Sequence, residues 1–422
     1  MKAVLFSIGS RGDIEPLLAL GEILKSKNWN VIYVFPEQFR ELVGKGNTFY
    51  GFTKEFLDVL VANEQFKIIS SRSGSFIKRL KILFLLGKKS IRINNEVTLK
   101  QKEIIDKEQP DYVFYNQKCV YPIIWEFKNL NKGIFVHPFP CFLHKVNHHS
   151  IIGFGGGGNY GSLLNRLSYS FQSIALSLGV YFTTKKYHKE LVGKTINPLS
   201  IRKRLLNKTK SIYTISPSLF SQPQYWKKNA NVVGYFESNK TKNWKPNTDL
   251  EQFIETNKKI VFITFGSISN TNPIEKTEAI LNALSEHEIP AIINTSWGGL
   301  IKPKVYPKHI HFVNNIPYDW IFPKMYAVIH HGGSGTTHST LKYGCASLII
   351  PHFIDHFFWN ETIHKLKVGP KGISIKKLNK DNFELLILDL LENDTYRKNA
   401  ELIADQMKKE NDTEKLIKLI LE

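Results

Sequence analysis

Residues 326–360, YAVIHHGGSGTTHSTLKYGCASLIIPHFIDHFFWN, concentrate side chains suited to holding an anion. An apolar run delivers His330 and His331 to the turn Gly332, Gly333, Ser334, Gly335, and a helix is expected to begin at Gly335 or Thr336. Free backbone N–H groups and the positive end of the helix dipole meet at such a point and attract negative charge. Ser334, Thr336 and Thr337 add hydroxyls, and a ring N–H of His331 can serve a phosphate oxygen. No Lys follows the last glycine, so the triphosphate-binding pattern is absent and a diphosphate is the better fit. Metal chelation fits poorly, because at the spacing it requires only His338 is close.

Asp355 and His356 follow the next apolar run, 347–350, after Pro351. Ligands of parallel α/β sheets gather at the carboxyl ends of strands, which puts Asp355 on the rim of the anion-binding turn, ready to accept bonds from hydroxyls; it also reads as a helix N-cap. Near the N-terminus, GSRGD (9–13) likewise ends an apolar run and opens a helix, offering Ser10, Arg11 and Asp13. Asp13 reads as a cap and also, facing a diphosphate turn across a cleft, as a base for a hydroxyl proton. Gly266 and Ser267, in FGS, repeat the Gly-Ser arrangement at a strand end.

These residues need a scaffold of strands and helices. KAVLFSI (2–8), a helical pattern over 14–27 and VIYVF (31–35) form one βαβ unit, with further strands expected at 112–115, 133–136 and 211–215. Pro217, Pro223 and Pro246 punctuate a polar stretch before KKIVFITFGS (258–267), which reopens the rhythm with a helix near 274–286 and strands at 291–294, 309–313, 326–330 and 347–350. The chain thus reads as α/β, in two successive halves. The Gly cluster 153–158 formally satisfies GxGxxG but follows NHHSII rather than a strand, so it reads as a loop. FIKRLKILFLLGKKSIR (76–92) is basic and amphipathic; it reads as a surface helix, with docking on a membrane surface as the sharper alternative.

Composition narrows the class. The 422 residues carry a formal charge of +20, and residues 1–217 hold 32 Lys/Arg against 15 Asp/Glu, so the basic excess belongs to the first half. Nucleic acid, an anionic membrane or an acidic ligand could each explain that asymmetry, but no nucleic-acid motif or stacking platform accompanies it. Cys119, Cys141 and Cys345 lie too far apart for a zinc ribbon or a disulfide framework, which suits a reducing cytosol. The N-terminal apolar run is too short for a signal peptide and no run of about 18 apolar residues occurs, so a cytoplasmic protein is expected, with membrane association at its surface as an option.

HHGGSGTT with PHFIDHFFWN resembles the nucleotide-sugar signature of the family-1 (UDP-glycosyltransferase-like) enzymes, and GSRGDIEPLLALGEIL resembles the N-terminal motif of their bacterial antibiotic and sterol glucosyltransferase branch. LLNRLSYSF (163–171), ISPSLFSQPQYW (215–226), VVGYF (232–236), FITFGS (262–267) and SWGGL (296–300) continue the resemblance in the family's order over most of the chain. The resemblance implies the GT-B fold, two Rossmann-like parallel-sheet domains facing across a cleft. It implies an N-terminal acceptor domain (1–217), a linker (218–257), a nucleotide-sugar domain (258–400) and a C-terminal helix (401–422) that crosses back.

By the same resemblance, the donor is a nucleoside-diphosphate sugar, UDP- ahead of dTDP-linked, and transfer is inverting and independent of metal or other cofactor. Asp13 takes the place of the general base, with Ser10 and Arg11 near phosphate. His331, Gly333, Ser334, Gly335 and Thr336 would contact the diphosphate, and Asp355 the sugar hydroxyls. The stretch 313–317, with Val313 and Ile316, would pass the base beside Trp297. His356 stands where glucose users carry Gln, which weakens the inference of glucose; Ser339 stands where plant relatives carry a ribose-binding Glu, as in the bacterial branch. The acceptor expected is a small, largely apolar molecule: a natural product, a sterol or a lipid. A protein that binds nucleotide sugar without turning it over is the non-enzymatic alternative.

Overall fold

The computed structural model describes residues 1–52, 93–152, 158–238, 244–266, 268, 270, 272–296 and 298–422. The basic stretch 76–92, most of the Gly cluster, Ser267 and Trp297 lie outside the described residues.

Two all-parallel sheets are built in succession. The first has seven strands: β1 (Lys2–Phe6), β2 (Asn30–Pro36), β3 (Thr48–Phe52), β4 (Tyr112–Tyr115), β5 (Gly133–His137), β6 (Lys210–Tyr213) and β7 (Ala230–Val232), in the order β3-β2-β1-β4-β5-β6-β7. The second has β8 (Val261–Thr264), β9 (Ala291–Asn294), β10 (Ile310–Val313), β11 (Ala327–His330) and β12 (Ala346–Ile349), in the order β10-β9-β8-β11-β12. This is the α/β, GT-B architecture of two Rossmann-like sheets. Five helices matter below: α1 (Arg11–Ser26), α2 (Ser162–Thr184), α3 (Ser334–Lys342), α4 (His356–Lys365) and α5 (Thr413–Leu421).

Apolar runs form these strands because both faces of each sheet are covered. In β1, Val4 and Phe6 point into one core with Ile32, Val113 and Phe135, while Ala3 and Leu5 point into another with Tyr33, Phe114 and Ile134, as a period of two requires. Register is tight: Leu5 lies opposite Tyr33 and Phe114, and Ile263 opposite Ile293 and Ile329.

The boundaries differ from expectation in two places. Strand β7 falls inside the stretch read as a linker, yet pairs with β6 and completes the first sheet. The C-terminal segment is two helices, Asp394–Lys408 and α5, broken at 409–412, where the Asp412 carboxylate accepts the Lys415 N–H at 2.9 Å as an N-cap. Leu416, Ile417 and Ile420 of α5 pack on Ala3, Leu5 and Leu17 of the first domain. Ala400, Ile403 and Met407 share a core with Tyr213 and Trp226 of the first domain and with Leu341 and Trp359 of the second. The chain's end therefore clasps both sheets.

Candidate functional site

Each sheet reverses its strand order once, and each reversal carries chemistry. In the first sheet the reversal lies between β1 and β4. The turn after β1 holds Gly9–Asp13, and the turn after β4 holds Asn116 and Lys118. The Asp13 carboxylate accepts from Ser10 N–H (2.9 Å), Ser10 Oγ (3.3 Å) and Lys118 Nζ (3.2 Å), all at Oδ2. Among the described residues Oδ1 has no partner. Buried Asn116 joins the two turns, donating to Ser7 Oγ and Ile8 O at 2.9 Å each, while Ser7 Oγ donates to Asp13 O at 2.7 Å. Gly9, at φ +140°, makes room for the pair: a Cβ there would lie 2.0 Å from Asp13 Oδ2 and 2.5 Å from Lys118 Nζ. Asp13 thus closes the capping box that Ser10 opens at the start of α1.

In the second sheet the reversal lies between β8 and β11, where Gly266 and His331–Gly335 stand. Helix α3 begins at Ser334, one residue before the expected start. The buried His331 ring is sandwiched by glycines: a Cβ on Gly266 would lie 2.8 Å from its Cε1, and one on Gly333 2.4 Å from its Nε2. His356 meets the ring edge-on with centroids 4.9 Å apart, and His330 and His352 stand further out at 6.3 and 6.4 Å. Burial, then these neighbouring imidazoles, hold His331 well below the ordinary histidine range, so it is neutral. Its buried Nδ1 has no hydrogen-bond partner, and a buried polar atom without a partner costs about 1–3 kcal/mol until something supplies one. A side chain at Gly335 would meet nothing within 4 Å, so the helix start opens on free space.

Three hydroxyls and histidines of this turn serve other ends than expected. Ser334 Oγ donates to Pro138 O of the first domain at 2.6 Å, and Thr337 Oγ1 donates to Gly333 O at 3.0 Å, so neither is held ready for an anion. His338 bonds Ser334 O through Nδ1 at 2.7 Å and accepts Ser216 N–H of the first domain at Nε2, 3.0 Å away, which makes it a strut between domains. Half-buried Thr336 keeps its place on the rim.

Asp355 stands at the N-cap position of α4, but its side chain makes no capping bond. Burial, then the charge of Asp13, push its carboxyl up to about 7, against the pull of the Asp355 and Ser334 N–H groups. The two carboxyls therefore sense one another across the domains. The raised value carries a sign: the unfolded chain ionises first, near the ordinary 3.8, so stability falls as pH rises from about 4 towards 7. Asp355→Asn removes this pH dependence. Its melting temperature is expected to match the parent's near pH 4 and to exceed it increasingly up to about pH 7, by a few degrees, in thermal melts; a pH-independent difference would contradict the coupling.

His356 is buried and its Nδ1 accepts from His352 N (3.3 Å) and Phe353 N (3.4 Å), which leaves the ring proton on Nε2. Arg11 is paired with Glu15 at 2.8 Å and feels Tyr318 and Asp319 of the second domain. Val313 ends β10, while the Ile316 side chain points into the core with Phe262 and Phe322, so only its backbone can face a ligand. Lys118, Asn116 and Pro138 were not singled out from sequence; NQKC follows the apolar run 112–115, so the strand-end rule applied there would have found the first two. Glu237 was missed as well: its buried carboxylate accepts from Ser339 (2.7 Å), Lys342 (2.9 Å) and Tyr343 (3.1 Å), tying the interdomain passage to α3. Ser339, at the place of the plant Glu, thus meets a carboxylate from elsewhere in the chain.

Comparison with known proteins agrees with the geometry. Residues 279–422 match the family of the erythromycin biosynthesis protein CIII-like C-terminal domain. A sterol 3-beta-glucosyltransferase of Arabidopsis thaliana is 28% identical over 97% of this chain and 64% of its own length; one of Saccharomyces cerevisiae is 28% identical over 96% of this chain and 34% of its own. The chain therefore spans less than two thirds of these relatives. Among solved structures, the calicheamicin glycosyltransferase CalG4 superposes with a TM-score of 0.69 at 15% identity, covering 100% of this chain and 98% of that one. A spinosyn rhamnosyltransferase complexed with thymidine diphosphate superposes with a TM-score of 0.64 at 12% identity over 100% of both chains. In its ordered motifs and in these likenesses the chain is similar to family-1 glycosyltransferases, and its fold is GT-B.

Proposed function

We propose that this chain moves a sugar from a nucleoside diphosphate to a hydroxyl of an apolar acceptor, of sterol or lipid type, by a single inverting displacement without a metal. The observation that carries the reading is the pairing of Asp13, at one switch point, with Asp355 and the His331 turn, at the other. The acceptor oxygen attacks the anomeric carbon and its proton passes to Asp13 Oδ1. The bond from that carbon to the diphosphate oxygen breaks, and the diphosphate leaves with the electron pair. N–H groups at the start of α3 and a ring N–H of neutral His331 meet the growing charge. Asp355 and His356 Nε2–H hold sugar hydroxyls. Two lines of support stand behind the acceptor class: the likeness of nearly the whole chain to part of the sterol 3-beta-glucosyltransferases, and a cavity of about 300 Å³ beside Lys118, lined by Val97, Val120, Leu176 and Val180 with Asn94, Thr98, Gln117 and Thr183.

The test is a thermal-shift panel of UDP- and dTDP-sugars followed by mass spectrometry of products with sterols. At a hundredfold excess over Kd a donor adds about 2.7 kcal/mol, a shift of a few degrees. UDP-sugars are expected to stabilise more than dTDP-sugars, and a sterol is expected to gain one hexose. Stabilisation without transfer or donor hydrolysis would instead make the chain a nucleotide-sugar binding module.

A further inference from the structure

Helix α2 buries Tyr169 and Val180 on one side and shows a second apolar stripe on the other. Its sequence, SLLNRLSYSFQSIALSLGVYFTT, places Leu163, Leu167, Phe171, Ile174, Leu178 and Phe182 within about 100° of arc. All six are exposed, Leu163 to 69%, Phe171 to 72% and Phe182 to 64%. Beside Tyr169 and Val180 the inward face carries Ser168, Ser173, Ser177 and Thr184, whose hydroxyls bond carbonyls one turn back in the same helix. The outward stripe runs for about 29 Å and exposes on the order of 600 Å², the upper end of what an isolated monomer shows.

We propose that this stripe is a docking face for a lipid bilayer bearing anionic headgroups. Charge supports that occupant. From Phe127 to Lys189 the sequence contains seven Lys/Arg and no Asp or Glu. Arg166 stands near one end of the stripe and Lys185 and Lys186 at the other, so a second copy laid against it would bring like charges together in either direction. Position supports it too. The next strip of α2, through Leu176, Gly179 and Val180, lines the 300 Å³ cavity together with Lys118, the partner of Asp13. One helix thus presents a face to lipid and another to the cavity, and an acceptor dissolved in the bilayer would reach the cavity along it. This extends the apolar-acceptor reading, but vesicle binding needs neither donor nor acceptor, so the two can fail separately.

The test is co-sedimentation of the full chain with phosphatidylcholine vesicles, with and without about 30% phosphatidylserine. The parent is expected to bind the anionic vesicles and not the neutral ones. The triple variant Leu167→Glu, Phe171→Glu, Phe182→Glu is expected to lose binding at least about tenfold while its melting temperature and its turnover of a detergent-solubilised acceptor stay at parental values. Lys185→Glu with Lys186→Glu, which leaves the stripe intact, is expected to lose binding as well. Undiminished binding by either variant would overturn the proposal and move any membrane contact elsewhere, as would equal binding to neutral vesicles. A parent that sediments as a dimer in the ultracentrifuge, and a triple variant that is monomeric, would overturn it in favour of self-association.

Discussion

Asp13→Asn is expected to lower kcat about a thousandfold or more at saturating donor, with the fold and melting temperature retained. A positioned general base contributes about 10²–10⁴-fold, and Asp13 is the carboxylate set in the turn after β1 at the first switch point. An Asn amide keeps an oxygen to accept the Ser10 N–H, so the start of α1 stays capped, but it cannot take the acceptor's proton. Gly9→Ala reaches the same end by geometry: its Cβ would occupy the space of Asp13 Oδ2, at a φ of +140° that alanine rarely adopts. That variant is expected to lose turnover together with about 1–3 kcal/mol of stability. The readouts are initial rates of sugar transfer and thermal melts. A turnover of Asp13→Asn within tenfold of the parent would remove Asp13 from the role.

The placement of the candidate residues at the carboxyl ends of strands was legible because each follows an apolar run within a few positions. Asp13, Gly266, His331 and Asp355 all lie just past β1, β8, β11 and β12. What escaped depends on contacts far apart in the chain. Lys118 matters through a partner 105 residues away, and Ser334 surrenders its hydroxyl to Pro138, 196 residues away. Strand β7 has three residues, too few for a period to show, and exists because β6 offers it an edge. The two C-terminal helices are separated by a cap at Asp412 that the sequence carries openly, yet charged and apolar residues continue through it at helical spacing. Helix α2 was legible as a motif only; which side faces outward is settled by Tyr169, Val180 and the serines that pack inward on its other side.

His331→Ala is expected to cost about 100–1,000-fold in kcat with a smaller change in KM, because the ring N–H earns its effect only as charge grows on the departing diphosphate. Burial and three neighbouring imidazoles keep this histidine neutral, so its contribution is that of one aligned donor rather than a positive charge. Two consequences separate this from a purely structural role. First, His331→Gln, which restores an N–H between Gly266 and Gly333, is expected to recover part of the lost kcat, whereas a packing role would treat Gln and Ala alike. Second, a neutral His331 does not titrate between pH 6 and 8, so the carboxyl beside it that changes charge in that range is Asp355, near 7. The kcat profile of His331→Gln is then expected to keep the parent's inflection near pH 7, and that of Asp355→Asn to lose it. If the inflection instead disappears with His331, the imidazole works as a cation and the neutral-donor account of leaving-group stabilisation fails.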